Sequence, residues 1–353
     1  LVETAGRFAR ERVRPAAREA DETGLIPPDL LDAAWQLGFV QGSIPEAHGG
    51  FGERSAVSGA LFVEELACGD LSLALAAMAP ALVAFPLLTA GSVEQRQRFL
   101  PRFAQDRYPP ATAALLEPCY QFDPGQLATT AALAGDAYVL NGKKCCVPLA
   151  TQAELLLVYA QDAATGSVQG FLVPNGTAGL QIGGREGNMG INALPTYEVI
   201  LSDCRVPAAQ RLGESAGCDF GKLLDFSRVA LAAMAVGVAR GAVEYARDYA
   251  KQRQQFGEPI ASRQAIAFML ADMAIETDAT RLMAWEAAWK LDRGEDATRE
   301  AYLAKMYADD MVLKVADGAV QVLGGHGYIR EHPVEMWLRN ARGFVVFDGL
   351  ATV

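Results

Sequence analysis

The chain has 353 residues, 51% of them hydrophobic, with 42 acidic against 31 basic side chains and a net charge of −11. That length supports two or three packed layers around a large core, and the acidic balance, with no basic stripe carrying interleaved aromatics, excludes a nucleic-acid surface. Six cysteines without scaffold spacing fit a reducing cytoplasm, and three histidines with no pair at helical ligand spacing argue against a metal site.

Charged and apolar residues alternate with helical period from Val2 to Glu19 and from Pro28 to Gly38, where Pro28 suits a first turn and Gly38 a stop. No basic, apolar leader pattern opens the sequence at Leu1. Pro45 to Gly52 is a turn cluster. Ser55 to Cys68, Leu71 to Thr89 and Val93 to Phe103 then read as further helices, and Asp70, Pro80 and Pro86 make a buried helix pair the better account of the apolar run at Leu71 to Leu88 than a membrane span. The first third, residues 1–110, is therefore expected to be an all-helical domain.

Character changes over residues 111–215. Thr129 to Ala131, Ala137 to Leu140 and Lys144 to Val147 are short strands, and Asn141-Gly142 between the last two is a strong hairpin signal. Leu155 to Tyr159, Gly170 to Val173, Leu180 to Ile182 and Tyr197 to Leu201 complete a small β-barrel or sandwich. Cys145 and Cys146 are neighbours, but alternation along a strand sends adjacent side chains to opposite faces, which argues against a redox pair.

Residues 216–353 are long helices. Phe220 to Lys251 would extend ~48 Å, ending at a turn around Phe256 before Pro259. Ser262 stands as N-cap of a second run through Ile266, Met273, Leu282 and Trp289, which breaks near Gly294, and Thr298 to Val322 is a third. The fold expected is multi-domain α+β, with a C-terminal four-helix bundle.

Arg253-Gln254-Gln255-Phe256-Gly257, Gln321-Val322-Leu323-Gly324-Gly325-His326-Gly327-Tyr328 and Pro333-Val334-Glu335 resemble the C-terminal domain of the acyl-CoA dehydrogenase family. Pro45-Glu46-Ala47-His48-Gly49-Gly50, Glu117-Pro118, Asn141-Gly142-Lys143-Lys144 and Arg205-Val206-Pro207 agree in family order, so the resemblance covers essentially the whole chain. It implies FAD in a crevice between the β domain and the C-terminal helices, an acyl-CoA or other acyl thioester as substrate, an electron-transfer flavoprotein as electron acceptor, and a dimer or tetramer, homo- or hetero-oligomeric.

The chemistry so implied needs a base at the α-proton and hydrogen bonds to the thioester oxygen. The family's Tyr-Glu-Gly-Thr run corresponds here to Phe347-Asp348-Gly349-Leu350, after Arg339-Asn340-Ala341-Arg342. The resemblance therefore nominates Asp348 as base, with Arg228, Phe347 and Gly349 at the substrate. Asp is shorter than Glu by roughly 1.3 Å, and helix-cap service is the ordinary alternative for it. The family's second location for a base, before Arg228, holds Ser227.

The implied flavin contacts fall on Leu116, Gln121, Phe122, Cys146 and Pro148 on the chain's own side. Arg253, Phe256, Gln321, Gly324 and Gly325 form the half donated to a neighbouring subunit. The first set departs most from the family pattern: Leu116-Glu117-Pro118-Cys119-Tyr120-Gln121-Phe122-Asp123 stands for Thr-Glu-Pro-Gly-x-Gly-Ser-Asp, and Cys146-Val147-Pro148 for Trp-Ile-Thr. Unpaired polar edges of a buried ring would cost on the order of 1–3 kcal/mol each. Three readings follow: a flavin-dependent acyl-CoA dehydrogenase, a silent family member whose flavin is lost or shared with a partner chain, and a flavin oxidase acting on a non-thioester carbon acid.

Overall fold

A computed structural model describes residues 1–353. Helices α1 (Val2–Phe8) and α2 (Arg14–Thr23) run on through a π-helical stretch at Ala9–Val13, then come α3 (Leu30–Trp35) and α4 (Phe39–Gly42). The helix expected over Pro28 to Gly38 forms as the shorter α3, and Gly38, at φ +79°, ends that stretch as expected and redirects the chain into α4. Next are α5 (Ala56–Gly69), α6 (Leu71–Met78), α7 (Ala81–Ala90) and α8 (Val93–Phe99). Pro80 divides the apolar run into α6 and α7, bent by 47°. Asp70 caps α6 through Leu73 N–H (3.0 Å), and Ser92 with Gln95 forms a capping box on α8.

The sheet comprises β1 (Ala111–Ala114), β2 (Thr130–Ala134), β3 (Ala137–Pro148), β4 (Leu155–Asp162), β5 (Val168–Pro174), β6 (Leu180–Arg185) and β7 (Thr196–Pro207), in the order β1-β4-β2-β3-β7-β6 with β5 paired to β4. Along β4, Leu155, Leu157 and Tyr159 face one core while Leu156, Val158 and Ala160 face another. The strand is thus buried on both sides, which is why it reads as a continuous apolar run.

Asn141-Gly142 is not a turn. The β2–β3 hairpin closes at Gly135-Asp136, with Ala134 opposite Ala137 and Gly135 at φ +69°. Asn141 lies inside β3 opposite a bulge in β7, where Ser202 and Asp203 stand against one residue. Its amide side chain clasps Asp203, accepting from its N–H (2.8 Å) and donating to its carboxylate (3.1 Å).

In the last third, α9 (Phe220–Gln252), α10 (Gln264–Asp292) and α11 (Thr298–Leu323) pack on one another, and α5 lies across α9 and α10. Short α12 (Gly325–Tyr328) and α13 (Val334–Ala341) follow. Ser262 does not cap α10, which begins after Arg263; the Ser262 hydroxyl donates to Pro259 O (2.8 Å) and closes the preceding turn. Long and apolar enough to cross a membrane, α9 keeps its most apolar window 83% buried within the protein. One core of 82 buried residues extends from the N-terminal helices over a face of the sheet to these long helices, joining all three parts in one body. Phe268, Ile275, Leu282 and Trp289 recur every seven residues along α10 and lie exposed, as do Tyr302, Leu303, Met306 and Tyr307 on α11.

Candidate active site

After α13 the chain makes a 3-10 turn at Phe344–Val346 and presents Phe347, Asp348 and Gly349 to the ends of α9 and α11. Phe347 is buried against Phe344, their rings 5.7 Å apart. Gly349 adopts φ +69°, and a Cβ there would lie 2.6 Å from the Leu115 side chain, so the position requires glycine. Its N–H donates to Ser227 Oγ (3.1 Å), giving Ser227 a positioning role in this turn.

Asp348 is half-buried, and neither its carboxylate nor its amide has a hydrogen-bond partner. Burial raises its carboxyl above the ordinary range, opposed by the charges of Lys305 and Arg228. Other carboxylates nearby are engaged. Asp309 accepts from Lys305 Nζ (2.7 and 2.8 Å), which also donates to Phe344 O (2.8 Å), and Asp225 accepts from Thr298 Oγ1 (3.0 Å). Arg228 lies 3.6 Å from Asp225 with its guanidinium 5.2 Å from the Tyr302 ring. Beside this turn, Leu82, Leu115, Tyr159, Leu224, Ser227 and Gly349 line a cavity of only about 20 Å³, room for a single water.

The sheet wall is held by a buried ion pair. Lys144 Nζ donates to Glu117 Oε1 (2.8 Å) and Leu115 O (3.0 Å), and the Glu117 carboxylate also accepts from Ala128 N–H (2.6 Å) and Thr129 N–H (2.9 Å). Burial works against both charges. It pulls the ammonium down to about 8 despite Glu117, whereas Lys144 and Thr129 overcome it and hold the Glu117 carboxyl below the ordinary range. Leu116 is buried next to this pair, its carbonyl accepting Cys145 N–H (2.9 Å). Phe122 is half-buried and Gln121 exposed at φ +57°, while Pro148 is buried in register with Thr196.

The expectation that Cys145 and Cys146 point apart fails. Cys145 and Cys146 together oppose the single residue Glu198 of β7, and Cys146 takes φ +53°, so a bulge turns both thiols to one side. Both sulfurs and a Glu186 carboxylate oxygen lie within 4.8 Å of one another, contrary to the expectation that no metal-binding grouping exists. Cys146 N–H donates to the same carboxylate (3.0 and 3.1 Å).

On the far side of the molecule, Arg253, Phe256, Gly324 and Gly325 come together around a cavity of about 910 Å³ that Tyr249, Ile260, Arg263 and His326 also line. Phe256 is 91% exposed, and the Arg253 side chain carries no ion pair. Gln321 stands apart from this lining at the end of α11, where its carbonyl accepts Gly324 N–H (3.1 Å). Sequence reasoning missed the group behind it. His326 and His332 stack at 5.5 Å, with Tyr249 O–H 2.6 Å from His326 Nδ1 and Tyr245 O–H 2.7 Å from His332 Nδ1. Only the fourfold spacing of the two tyrosines on α9 hinted at it.

Arg339-Asn340 fastens the parts together. Arg339 pairs with Asp21 (2.6 Å) and Glu335 (2.9 Å), while Asn340 accepts Ile191 N–H (2.7 Å) and faces Asp70. Between these residues and the sheet, a cavity of about 170 Å³ is lined by Cys146, Met189, Ile191, Arg342, Val346 and Phe347.

These spaces fit a dinucleotide cofactor unequally. The 910 Å³ cavity, with a free guanidinium, an exposed aromatic ring and two adjacent glycines, has the size and donors to hold an adenosine diphosphate end. At 170 and 20 Å³, the cavities lined by Cys146 and by Gly349 fall below the ~300 Å³ of ordinary ligand sites, and the Cys146 amide is already satisfied by Glu186.

Family models for the N-terminal, middle and C-terminal domains of acyl-CoA dehydrogenases match residues 1–107, 112–204 and 220–353. The chain is 38% identical over 98% of its length to "Probable acyl-CoA dehydrogenase YngJ" of Bacillus subtilis (strain 168), covering 92% of that protein. It is 36% identical over 95% of its length to the "Caffeyl-CoA reductase-Etf complex subunit CarC" of Acetobacterium woodii, covering 89% of it. Among solved structures, butyryl-CoA dehydrogenase from Megasphaera elsdenii superposes with a TM-score of 0.90 at 32% identity, over 99% of this chain and 93% of that one.

Proposed function

Since the chain belongs to the acyl-CoA dehydrogenase family and is an oxidoreductase, we propose that it removes the Cα and Cβ hydrogens of an acyl thioester with Asp348 as the base. The observation that carries this reading is the unspent state of Asp348 beside Asp309, which is held by Lys305, and Asp225, which accepts from Thr298 through one oxygen. Its free carboxylate accepts the α-proton, and burial makes it a stronger base than an exposed aspartate. The neighbouring amide, also without a partner, is free to donate to the thioester oxygen as negative charge gathers there. The charges of Lys305 and Arg228 oppose the rise that burial imposes on the carboxyl, and Ser227 fixes the turn through Gly349.

A flavin, when bound, supplies the acceptor for the hydrogen leaving Cβ. Arg253, Phe256, Gly324 and Gly325 would hold its adenosine diphosphate end, donated to the crevice of a neighbouring subunit, and an electron-transfer flavoprotein would reoxidise it. The exposed seven-residue stripe on α10 and the apolar side chains of α11 suit an oligomer that brings such crevices together.

A second reading is favoured by the sheet wall: a subunit that donates the Arg253 half-site while its own ring side is closed by Leu116, Phe122 and the Cys146–Glu186 contact. The visible absorption spectrum of the purified protein, with released flavin counted after denaturation, separates the two. One flavin per chain, bleached by an acyl-CoA and no longer bleached in Asp348→Asn, is the outcome expected of the dehydrogenase. Absence of flavin even after adding FAD would overturn it in favour of the half-site subunit.

A further inference from the structure

Two bulges face each other across β7. On one side Cys145 and Cys146 together oppose Glu198, and on the other Gly183 and Gly184 oppose the same residue. An extra residue in each flanking strand interrupts the alternation of side chains. The first bulge brings adjacent thiols to one side, and beyond the second, β6 ends at Arg185 and delivers Glu186. The Glu186 N–H donates to Thr196 O (2.9 Å), and the carboxylate is fixed by two contacts from Cys146 N–H. None of the three side chains is used by the chemistry assigned to Asp348.

From this placement we propose that Cys145, Cys146 and Glu186 form a binding site for a soft divalent cation of the zinc class. Two sulfurs and one carboxylate oxygen within 4.8 Å of one another supply three ligands, leaving a fourth position open. All three side chains are half-buried, so the ligands are reachable and still partly shielded from water. An approach exists through the 170 Å³ cavity that Cys146 lines with Met189 and Phe347. Binding exchanges the two thiol protons, released to solvent, for two metal–sulfur bonds, with no change in oxidation state. Glu186 joins as carboxylate and keeps the Cys146 amide as its outer partner.

The test is a Zn²⁺ titration of the full-length, chelator-stripped protein under reducing conditions, in competition with a chromophoric chelator. Cd²⁺ absorption in parallel reports thiolate ligation, and circular dichroism verifies the fold of each variant. One Zn²⁺ per chain is expected, with thiolate bands for Cd²⁺, both lost in Cys145→Ser and Cys146→Ser and retained in Cys218→Ser. Glu186→Gln, which leaves both thiols in place, should weaken Zn²⁺ by at least the roughly tenfold that losing even an outer partner costs a metal site. No Zn²⁺ bound, or stoichiometry unchanged in folded Cys145→Ser and Cys146→Ser, would overturn the proposal. So would Zn²⁺ binding without Cd²⁺ thiolate bands.

Discussion

Replacing Lys144 by methionine tests the sheet wall most directly. The ammonium is fully buried, and methionine preserves most of the side-chain volume while removing two hydrogen bonds and the charge. Breaking one side of a buried pair leaves the other charge uncompensated, a loss of about 3–5 kcal/mol. Glu117 would keep the amides of Ala128 and Thr129, and bonds to a charged group contribute about 1.5–3 kcal/mol each, so the loss should fall near the low end, roughly 3 kcal/mol. In the double variant with Glu117→Gln the stranded charge disappears, and the two effects should fall short of additivity by about 1–3 kcal/mol. Urea midpoints followed by tryptophan fluorescence, at unchanged m-value, measure both quantities. A loss below about 1 kcal/mol for Lys144→Met, or strict additivity, would refute the view that this pair holds the loop carrying Leu116 against the strand carrying Cys146.

Asp70 is wholly buried, and desolvation lifts its carboxyl to about 6, against bonds from Leu73 and Ser72 that lower it. The folded state then holds that proton more tightly than the unfolded chain, so the contribution is present at acid pH and fades as pH rises from about 4 to 6. Asp70→Asn should flatten the stability profile across that window, by up to about 3 kcal/mol for two pH units, as read from urea midpoints at several pH values. Arg339→Ala removes the pairs to Asp21 and Glu335 and strands a buried carboxylate; a loss of about 3 kcal/mol and faster amide exchange in α2 are expected, and unchanged exchange there would contradict the clasp. Placing glutamate at Phe268, Ile275 and Leu282 together should convert the proposed oligomer to smaller species in sedimentation without loss of helical signal, since all three are exposed on the single chain. An unchanged sedimentation coefficient would remove α10 from the interface.

Much of the architecture was legible because its long elements have clean periods. The 33-residue α9 and the strand β4 announce themselves by spacing and by continuous apolarity. What the sequence concealed lies where regular periods break. Strand alternation assumes an unbroken ladder, and the bulge at Cys145-Cys146 violates it, so a pair read as divided is in fact convergent. Asn141-Gly142 carries turn chemistry, yet pairing continues through it, because Asn141 spends its side chain on the bulged Asp203. His326 and His332, six residues apart with α12 and a turn between them, meet only because both rest on tyrosines of α9. Ser262 looked like a cap by type alone, and its hydroxyl was already committed to Pro259.

The two walls of the crevice have been left in opposite chemical states. On the Asp348 side a carboxylate and an amide remain unspent, an arrangement that costs stability and persists where something else is to be bound or moved. On the sheet side the groups named above are spent within the protein, Leu116 O on Cys145, the Cys146 amide on Glu186 and Lys144 on Glu117, while the Leu116 amide and the Thr129 hydroxyl have no partner. A flavin ring seated there would have to displace those bonds or leave its own polar edge unpaired, at about 1–3 kcal/mol per group. The cavity at Arg253 bears no such burden, since its guanidinium is free and its glycines leave the backbone open. On the proposed reading, a flavin would therefore be held more by its diphosphate end than by its ring, and the unspent carboxylate of Asp348 would work beside a wall most of whose named polar groups are already engaged.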